Sequence, residues 1–329
     1  MEHCTTRFPL MEVAGSPYEM GQTHGSVLRE SIGRSLAICR EVLPVPFEQA
    51  MAYASRSLPY SREQAPELIE EVQGIADGAG YTLEEIFTLN ASLDLQLSQR
   101  RLKETTPPDC WTLAVNSGDR TFITWTAEDS PQWFEECILL KVRPVSGTPS
   151  LMWTFAGFVG RPGINPHLGL SAAAQLSDDC HDGLPYPFIC RKVMDCRTTG
   201  EAITAIAKYH RMAGMVYTIA DQFGEIATVE TSARAVRVME NKPGWTACSG
   251  RWPVDRLSRI EEMLDECGPS VSLTDLQRMQ ADHGSGNLCA HDDSGLVSLC
   301  TFIGDVPART LWITHGSSCE NEYVDYSLY

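Results

Sequence analysis

One stretch limits this chain more than any other: Pro107-Pro108-Asp109-Cys110-Trp111-Thr112-Leu113-Ala114-Val115. Upstream the pattern is helical and charged. Downstream it turns to strands. Each proline fixes φ and disfavours helix for the residue before it. The helical regime therefore stops here, and Cys110 heads the first strand of the next one. A nucleophile in that position has a particular use. Cutting the Asp109-Cys110 bond would give Cys110 a free α-amine beside its own thiol, and that amine can act as the general base. An α-amine titrates near ~7.7–8.0 and a thiol near ~8.5, so proton transfer between them costs little. The competing reading is a buried core cysteine, the common fate of a free thiol.

The 329 residues carry a net charge of −17, and no Lys/Arg-rich run interrupts them. That argues against nucleic acid and against an anionic membrane surface as partners. The first residues lack the apolar core of a secretory signal, and no apolar run reaches the ~20 residues of a membrane span. The final Ser327-Leu328-Tyr329 matches a peroxisomal Ser-Lys-Leu signal only in part, so a cytoplasmic protein is expected. The 12 cysteines show no Cys-x-x-Cys pair, which reads as free thiols in a reducing compartment. Cys289-Ala290-His291 and Cys180-His181 lack the four-ligand spacing of a zinc site, so no metal is expected.

Ser16, Pro17 and Glu19 form a helix start, with Ser16 as N-cap and Glu19 completing a capping box. Gly21 and Gly25 lie on one side of that helix and imply close packing against another element. His24 between them reads as a structural histidine. Further helices are expected over Glu48–Arg56, from Ser61 to Gly78, and from Thr82 onward. Gln99 to Pro108 reads as an exposed loop. From Cys110 strands follow quickly at Trp111–Val115, Thr121–Thr126, Cys137–Val142, Leu151–Phe155 and Leu168–Ala173. Two helices near Pro187–Asp195 and Gly200–His210 come next. Short strands at Val216–Ala220, Ile226–Thr231 and Ala235–Val238 follow them. Helices at Asp255–Leu264 and Thr274–Met279 and strands at Gly295–Ile303 and Arg309–Thr314 complete the chain. This order suggests packed sheets with helices outside, an α+β arrangement.

These residues, taken together, resemble the isopenicillin-N acyltransferase family of N-terminal-nucleophile cysteine hydrolases. Gly15-Ser16-Pro17-Tyr18-Glu19-Met20-Gly21 with His24-Gly25 looks like that family's N-terminal signature. Asp109-Cys110-Trp111-Thr112 is similar to its cleavage and nucleophile site, and Thr126-Ala127-Glu128-Asp129 to its second strand. Gly157 to Asn165 resembles its glycine-rich hairpin. Ile219 to Gly224, Thr301 to Asp305 and Leu311 to Gly316 resemble its later strands.

The resemblance implies a four-layer αββα sandwich and self-cleavage at Asp109-Cys110. The helix-rich residues 1–109 would form the small chain and residues 110–329 the catalytic large chain, both within one integrated domain. It implies a small-molecule acyl donor with an amine or amide substrate, no cofactor, and acyl-CoA as a candidate donor. An oligomer of processed subunits remains open. Cys110 would attack the acyl carbon, Asp129 would orient its α-amine, and a donor near Ser249 would hold the oxyanion. Two departures stand out. Ala127 replaces a frequent Asn, and Thr246-Ala247-Cys248-Ser249-Gly250-Arg251 replaces a Thr-Asn-His step.

A pocket above Cys110 is expected, lined by Phe158, Arg161, Arg251 and Trp252, with Arg161 pairing to a substrate carboxylate. Thr301 is a candidate pocket hydroxyl. The plainer readings are a solvated turn residue for Asp129, a surface arginine for Arg161 and an ordinary strand threonine for Thr301. The alternative function is an uncleaved or catalytically quiet member kept as a binding or interaction protein, and Ala127 and the absent Asn favour the quiet one.

Overall fold

The computed structural model describes residues 6–99, 110–249, 255–268, 270–289, 291 and 295–329. Strand β1 (Leu10–Gly15) is followed by seven helices: α1 (Pro17–Val27), α2 (Arg29–Val42), α3 (Phe47–Ser55), α4 (Leu58–Gln64), α5 (Pro66–Ala79), α6 (Leu83–Asn90) and α7 (Ser92–Gln99). The expected capping box closes α1, with Ser16 N donating to Glu19 Oε2 at 2.8 Å. The helix expected from Ser61 is in fact two. Pro66 has no amide hydrogen to continue α4 but is well suited to begin α5, so the break falls between them.

Gly21 and Gly25 pack as expected, against the backbone of α5. A Cβ at Gly21 would lie 2.0 Å from the Glu71 carbonyl oxygen, and one at Gly25 would lie 2.2 Å from that of Ile75. Gly74 and Gly78 answer them from α5, so the two helices cross with their backbones nearly in contact.

Beyond Cys110 come β2 (Trp111–Ser117), β3 (Arg120–Asp129), β4 (Cys137–Pro144), β5 (Ser150–Phe155), β6 (Gly163–Ile164) and β7 (Leu168–Gln175). Next are α8 (Tyr186–Met194), α9 (Thr199–Lys208), β8 (Gly214–Asp221), β9 (Ile226–Thr231), β10 (Val236–Val238) and β11 (Trp245–Ser249). Last are α10 (Asp255–Cys267), α11 (Leu273–Gln280), β12 (Val297–Asp305), β13 (Thr310–His315) and β14 (Val324–Ser327). Strands β6, β11 and β14 were not visible in the sequence pattern. All three are short, at two, five and four residues.

The strands form two sheets. One runs β1-β4-β5-β6-β7-β8-β9-β10 and the other β11-β2-β3-β12-β13-β14. Every pair is antiparallel except β1 with β4. The sheets meet face to face. Thr112 Oγ1 of β2 lies 2.7 Å from Thr218 Oγ1 of β8, and Thr246 Oγ1 of β11 lies 2.8 Å from Thr228 Oγ1 of β9. Trp125 of β3 meets Trp153 of β5 edge-on, with ring centroids 5.3 Å apart.

The outer face of the six-stranded sheet presents Trp111, Leu113, Val115, Phe122 and Ile303 to Ile260 and Met263 of α10 and to Leu276 and Met279 of α11. On the other side α1 lies on β1 and β4, while α8 and α9 lie on β7 and β8. The result is the expected four-layer αββα sandwich. Among the described residues, no helix is long and apolar enough to cross a membrane.

Candidate active site

Side chains alternate across a strand, and residues directly opposite in a ladder share a face. Trp111 faces outward against α10 and α11. Cys110, one position earlier, therefore faces inward and is buried in the core between the sheets with Ala127 and Cys300. Its Sγ lies 3.8 Å from the main-chain oxygen of Glu128. The Glu128 carboxylate goes the other way, to a buried ion pair with Arg256 of α10 at 3.4 Å. Burial pushes the Cys110 thiol up to about 12. The Glu128 carbonyl contact and Arg161 pull it down, and the carboxylates of Glu128 and Asp129 push it further up.

Arg161 follows β5 in the glycine-rich loop and is buried, not a surface arginine. Four aromatic rings surround its guanidinium: Phe155 at 4.6 Å, Trp153 at 5.2 Å, Tyr186 at 5.7 Å and Trp125 at 5.9 Å. Its Nε and Nη1 hydrogen-bond no described residue. Burial draws its pKa down, but Tyr186, Asp129 and Cys110 more than offset that, and the net shift is upward. A buried cation with two idle donors is costly, which makes it suited to an anionic ligand group.

The N-terminal helices hold the loop that carries Arg161. Gly157 N donates to His24 Nε2 of α1 at 3.0 Å. Asn90 of α6 donates to the Gly157 oxygen at 2.9 Å and accepts from Val159 N at 3.0 Å. Arg191 of α8 donates to the Val159 oxygen and pairs with Glu71 of α5, both at 2.7 Å. Burial, aided by Arg191, lowers the His24 pKa to about 4, so the ring is neutral and accepts the Gly157 hydrogen. This is the structural histidine expected from the sequence.

Asp129 ends β3 half-buried, with Oδ1 accepting from Ser130 N at 2.8 Å, and its charge reaches both Cys110 and Arg161. Phe158 is buried one ring further out, edge-on to Phe155 at 5.5 Å and to Trp133 at 6.0 Å. Ser249 and Thr301 lie on the other face of the six-stranded sheet. Ser249 pairs with Trp111, Trp111 with Thr126, and Thr126 with Thr301. This row shares the outward face of Trp111, so neither hydroxyl faces the space beside Cys110. Ser249 Oγ is buried there, and no described residue hydrogen-bonds it. On β11 it is Cys248, opposite Thr112, that faces the same way as Cys110. Asp109, Arg251 and Trp252 lie outside the described residues.

The aromatic cage was not legible in the sequence, because its four rings come from β3, β5 and α8. Ala127 lies across from Cys300 on the Cys110 face, so the position where Asn is frequent borders the thiol. Groups with metal-ligand chemistry gather elsewhere, at His283, Cys289, His291 and Cys319.

The family model for acyl-coenzyme A:6-aminopenicillanic acid acyl-transferase matches residues 126–319, a stretch that begins after Cys110. Among solved structures, a variant of conjugated bile acid hydrolase from Clostridium perfringens is 11% identical, with a TM-score of 0.45, over 66% of this chain and 97% of that one. Penicillin V acylase from Agrobacterium tumefaciens is also 11% identical, with a TM-score of 0.44, over 63% of this chain and 82% of that one.

Proposed function

Because this chain belongs to the acyl-coenzyme A:6-aminopenicillanic acid acyl-transferase family, we propose that it is an N-terminal-cysteine acyltransferase or amidohydrolase acting on a small metabolite. The observation that carries the reading is the inward Cys110 thiol, close enough to the buried Arg161 for each to shift the other's pKa. With a thiol pKa of about 12, on the order of one thiol in 10⁵ is ionised at pH 7 in the uncut chain. Hydrolysis of the Asp109-Cys110 peptide changes that. Water supplies a hydroxyl to the Asp109 carboxylate and hydrogen to a new Cys110 α-amine.

The amine takes the thiol proton, and the thiolate attacks the carbonyl carbon of an amide or thioester. The proton then passes from the α-ammonium to the leaving amine or thiol as the tetrahedral intermediate collapses. Water or an incoming amine resolves the acyl-enzyme by the same proton transfers in reverse. A transferase must hold its amine against bulk water, and orientation can supply effective molarities of ~10⁵ M or more. In this reading Arg161 binds a substrate carboxylate through a charge-assisted hydrogen bond from Nε or Nη1, the two donors that no described residue occupies. Asp129 steadies the α-ammonium. Acyl-CoA is a candidate donor, and no cofactor is needed.

The test begins with the intact mass of the purified protein. Two fragments with Cys110 at the new terminus are expected, and Cys110→Ala should stay whole. A panel of acyl-thioesters and simple amides, with and without candidate amines, should then leave an acyl adduct on Cys110. A single uncut chain that still turns over substrate would sink the α-amine mechanism. No adduct from any donor, together with a Cys110→Ala chain that keeps its cellular role, would leave the binding-protein reading that Ala127 favours.

A further inference from the structure

Four side chains with soft-metal chemistry meet beyond the end of α11. His283 and Cys289 lie in the segment from α11 to β12, His291 follows two residues later, and Cys319 lies between β13 and β14. One ligand atom from each lies within 4.8 Å of the other three. His291 Nε2 is the focus. His283 Nε2 is 3.0 Å from it, Cys319 Sγ 3.2 Å and Cys289 Sγ 3.9 Å. Hydrogen bonding cannot account for this convergence. An imidazole nitrogen either donates one hydrogen or accepts into one lone pair, so only one of the three contacts is satisfied at a time.

We propose that His283, Cys289, His291 and Cys319 form a tetrahedral zinc site that ties the α11–β12 segment to the β13–β14 turn. Zn–N bonds of ~2.0–2.1 Å and Zn–S bonds of ~2.3 Å give tetrahedral edges of roughly 3.3–3.8 Å. The contacts at the focal nitrogen, from 3.0 to 3.9 Å, straddle that range. Small side-chain adjustments alone complete the tetrahedron. Two thiolates and two imidazoles suit zinc over the hard cations, and four protein ligands leave no open position, which marks a structural site. Binding releases the two thiol protons to solvent, and the two thiolates neutralise the ion's charge.

Hydrogen bonds hold the backbone next to Cys289 and Cys319. Cys289 N donates to the Asp282 oxygen at 3.1 Å, and Arg259 holds the Asp282 carboxylate at 2.8 and 3.0 Å. On the other side Glu320 N and Asn321 N both donate to the Ser317 oxygen at 3.2 Å, shaping the turn that presents Cys319. The Glu320 carboxylate stands 3.9 Å from His291 Nδ1, close to where a metal-bound histidine is commonly supported.

The same segment backs the nucleophile. Trp111 Nε1 donates to the Leu288 oxygen at 2.8 Å, and Arg256 donates to the oxygens of Gly286 at 3.1 Å and Asn287 at 2.9 Å. A zinc at this point would fix the wall against which Trp111, the neighbour of Cys110, is packed.

The test is the metal content of the full-length protein, purified without added metal and dialysed against a metal-free buffer. One zinc per chain is expected. Cys289→Ser with Cys319→Ser should drop it below about a tenth per chain, while Cys267→Ser should leave it unchanged. If the double variant does not fold, wild-type protein stripped of metal is titrated with cobalt(II). Tetrahedral ligand-field bands with a thiolate-to-cobalt charge-transfer band, at one equivalent and displaced by zinc, support the site. Any one of three results overturns it. These are no bound zinc together with no cobalt bands, zinc that persists in a folded double variant, or a Cys289–Cys319 disulfide in protein purified under anaerobic conditions.

Discussion

Ser249 stands directly across from Trp111 in the ladder of the six-stranded sheet, and so on the face opposite Cys110. A one-residue difference in register would have reversed this, because every side chain on a strand changes face with each step. On β11 the residue that shares the face of Cys110 is Cys248, opposite Thr112, and not Ser249.

Ser249→Ala should therefore leave acyl transfer unchanged, against the ~10²–10³-fold loss expected when an oxyanion donor is removed. Its hydroxyl is buried with no partner among the described residues, so deleting it should leave stability equal or slightly higher. Turnover by Cys110-dependent acylation, measured alongside urea unfolding, checks both. A loss of two orders of magnitude in rate would place Ser249 in the oxyanion site.

Arg161→Leu should separate activity from stability. The substitution removes a buried cation whose Nε and Nη1 have no partner among the described residues, so the folded state should be as stable or more so. Losing hydrogen bonds to a charged group, at ~1.5–3 kcal/mol, should lower kcat/KM for a carboxylate-bearing substrate by about 10- to 150-fold. Substrates without the carboxylate should lose much less. Equal losses for both kinds would argue that Arg161 only packs against its aromatic neighbours.

Two buried groups should give opposite pH signatures. His24 titrates near 4 in the folded chain and near 6.5 unfolded, so the unfolded state binds the extra proton between these values. Its contribution is present above about 6.5 and is lost as pH falls toward 4, by about 3 kcal/mol. Asp94 is the reverse. Burial raises it to about 7, against a contact from Tyr186 N at 3.0 Å that lowers it. The folded state then holds the proton longer, and stability falls as pH rises from about 4 to 7. Relative to wild type, His24→Gln should lose stability as pH rises over that window, and Asp94→Asn should gain it. Chemical denaturation at several pH values reads the two difference curves, and parallel curves would refute the assignment.

Gly21→Ala should be among the most damaging small substitutions. Its Cβ would sit 2.0 Å from a main-chain oxygen of α5, which cannot move aside as a side chain can. A loss of about 2–4 kcal/mol is expected from the forced separation of the two helices. Gly200→Ala, where nothing lies within 4 Å of the added Cβ, is the control. Equal urea midpoints for the two variants would contradict the close crossing.

Local chemistry wrote much of this molecule into the sequence. The Ser16 capping box, the helix-to-strand switch before Cys110, the paired glycines of α1 and the β-rich runs of β2 through β5 all depend on neighbours within a few residues, and all were readable. The αββα layering followed from their order and from the family resemblance. Tertiary structure alone decided the rest. Which face Ser249 and Thr301 occupy depends on ladder register between strands far apart in sequence. The burial of Arg161 depends on rings brought from β3, β5 and α8, and its loop is held by His24 and Asn90 from the helices before Cys110. The meeting of His283, Cys289, His291 and Cys319 likewise has no spacing rule in the chain. Two segments separated by a β-hairpin bring them together, and only the packing of that hairpin determines that their ligand atoms converge.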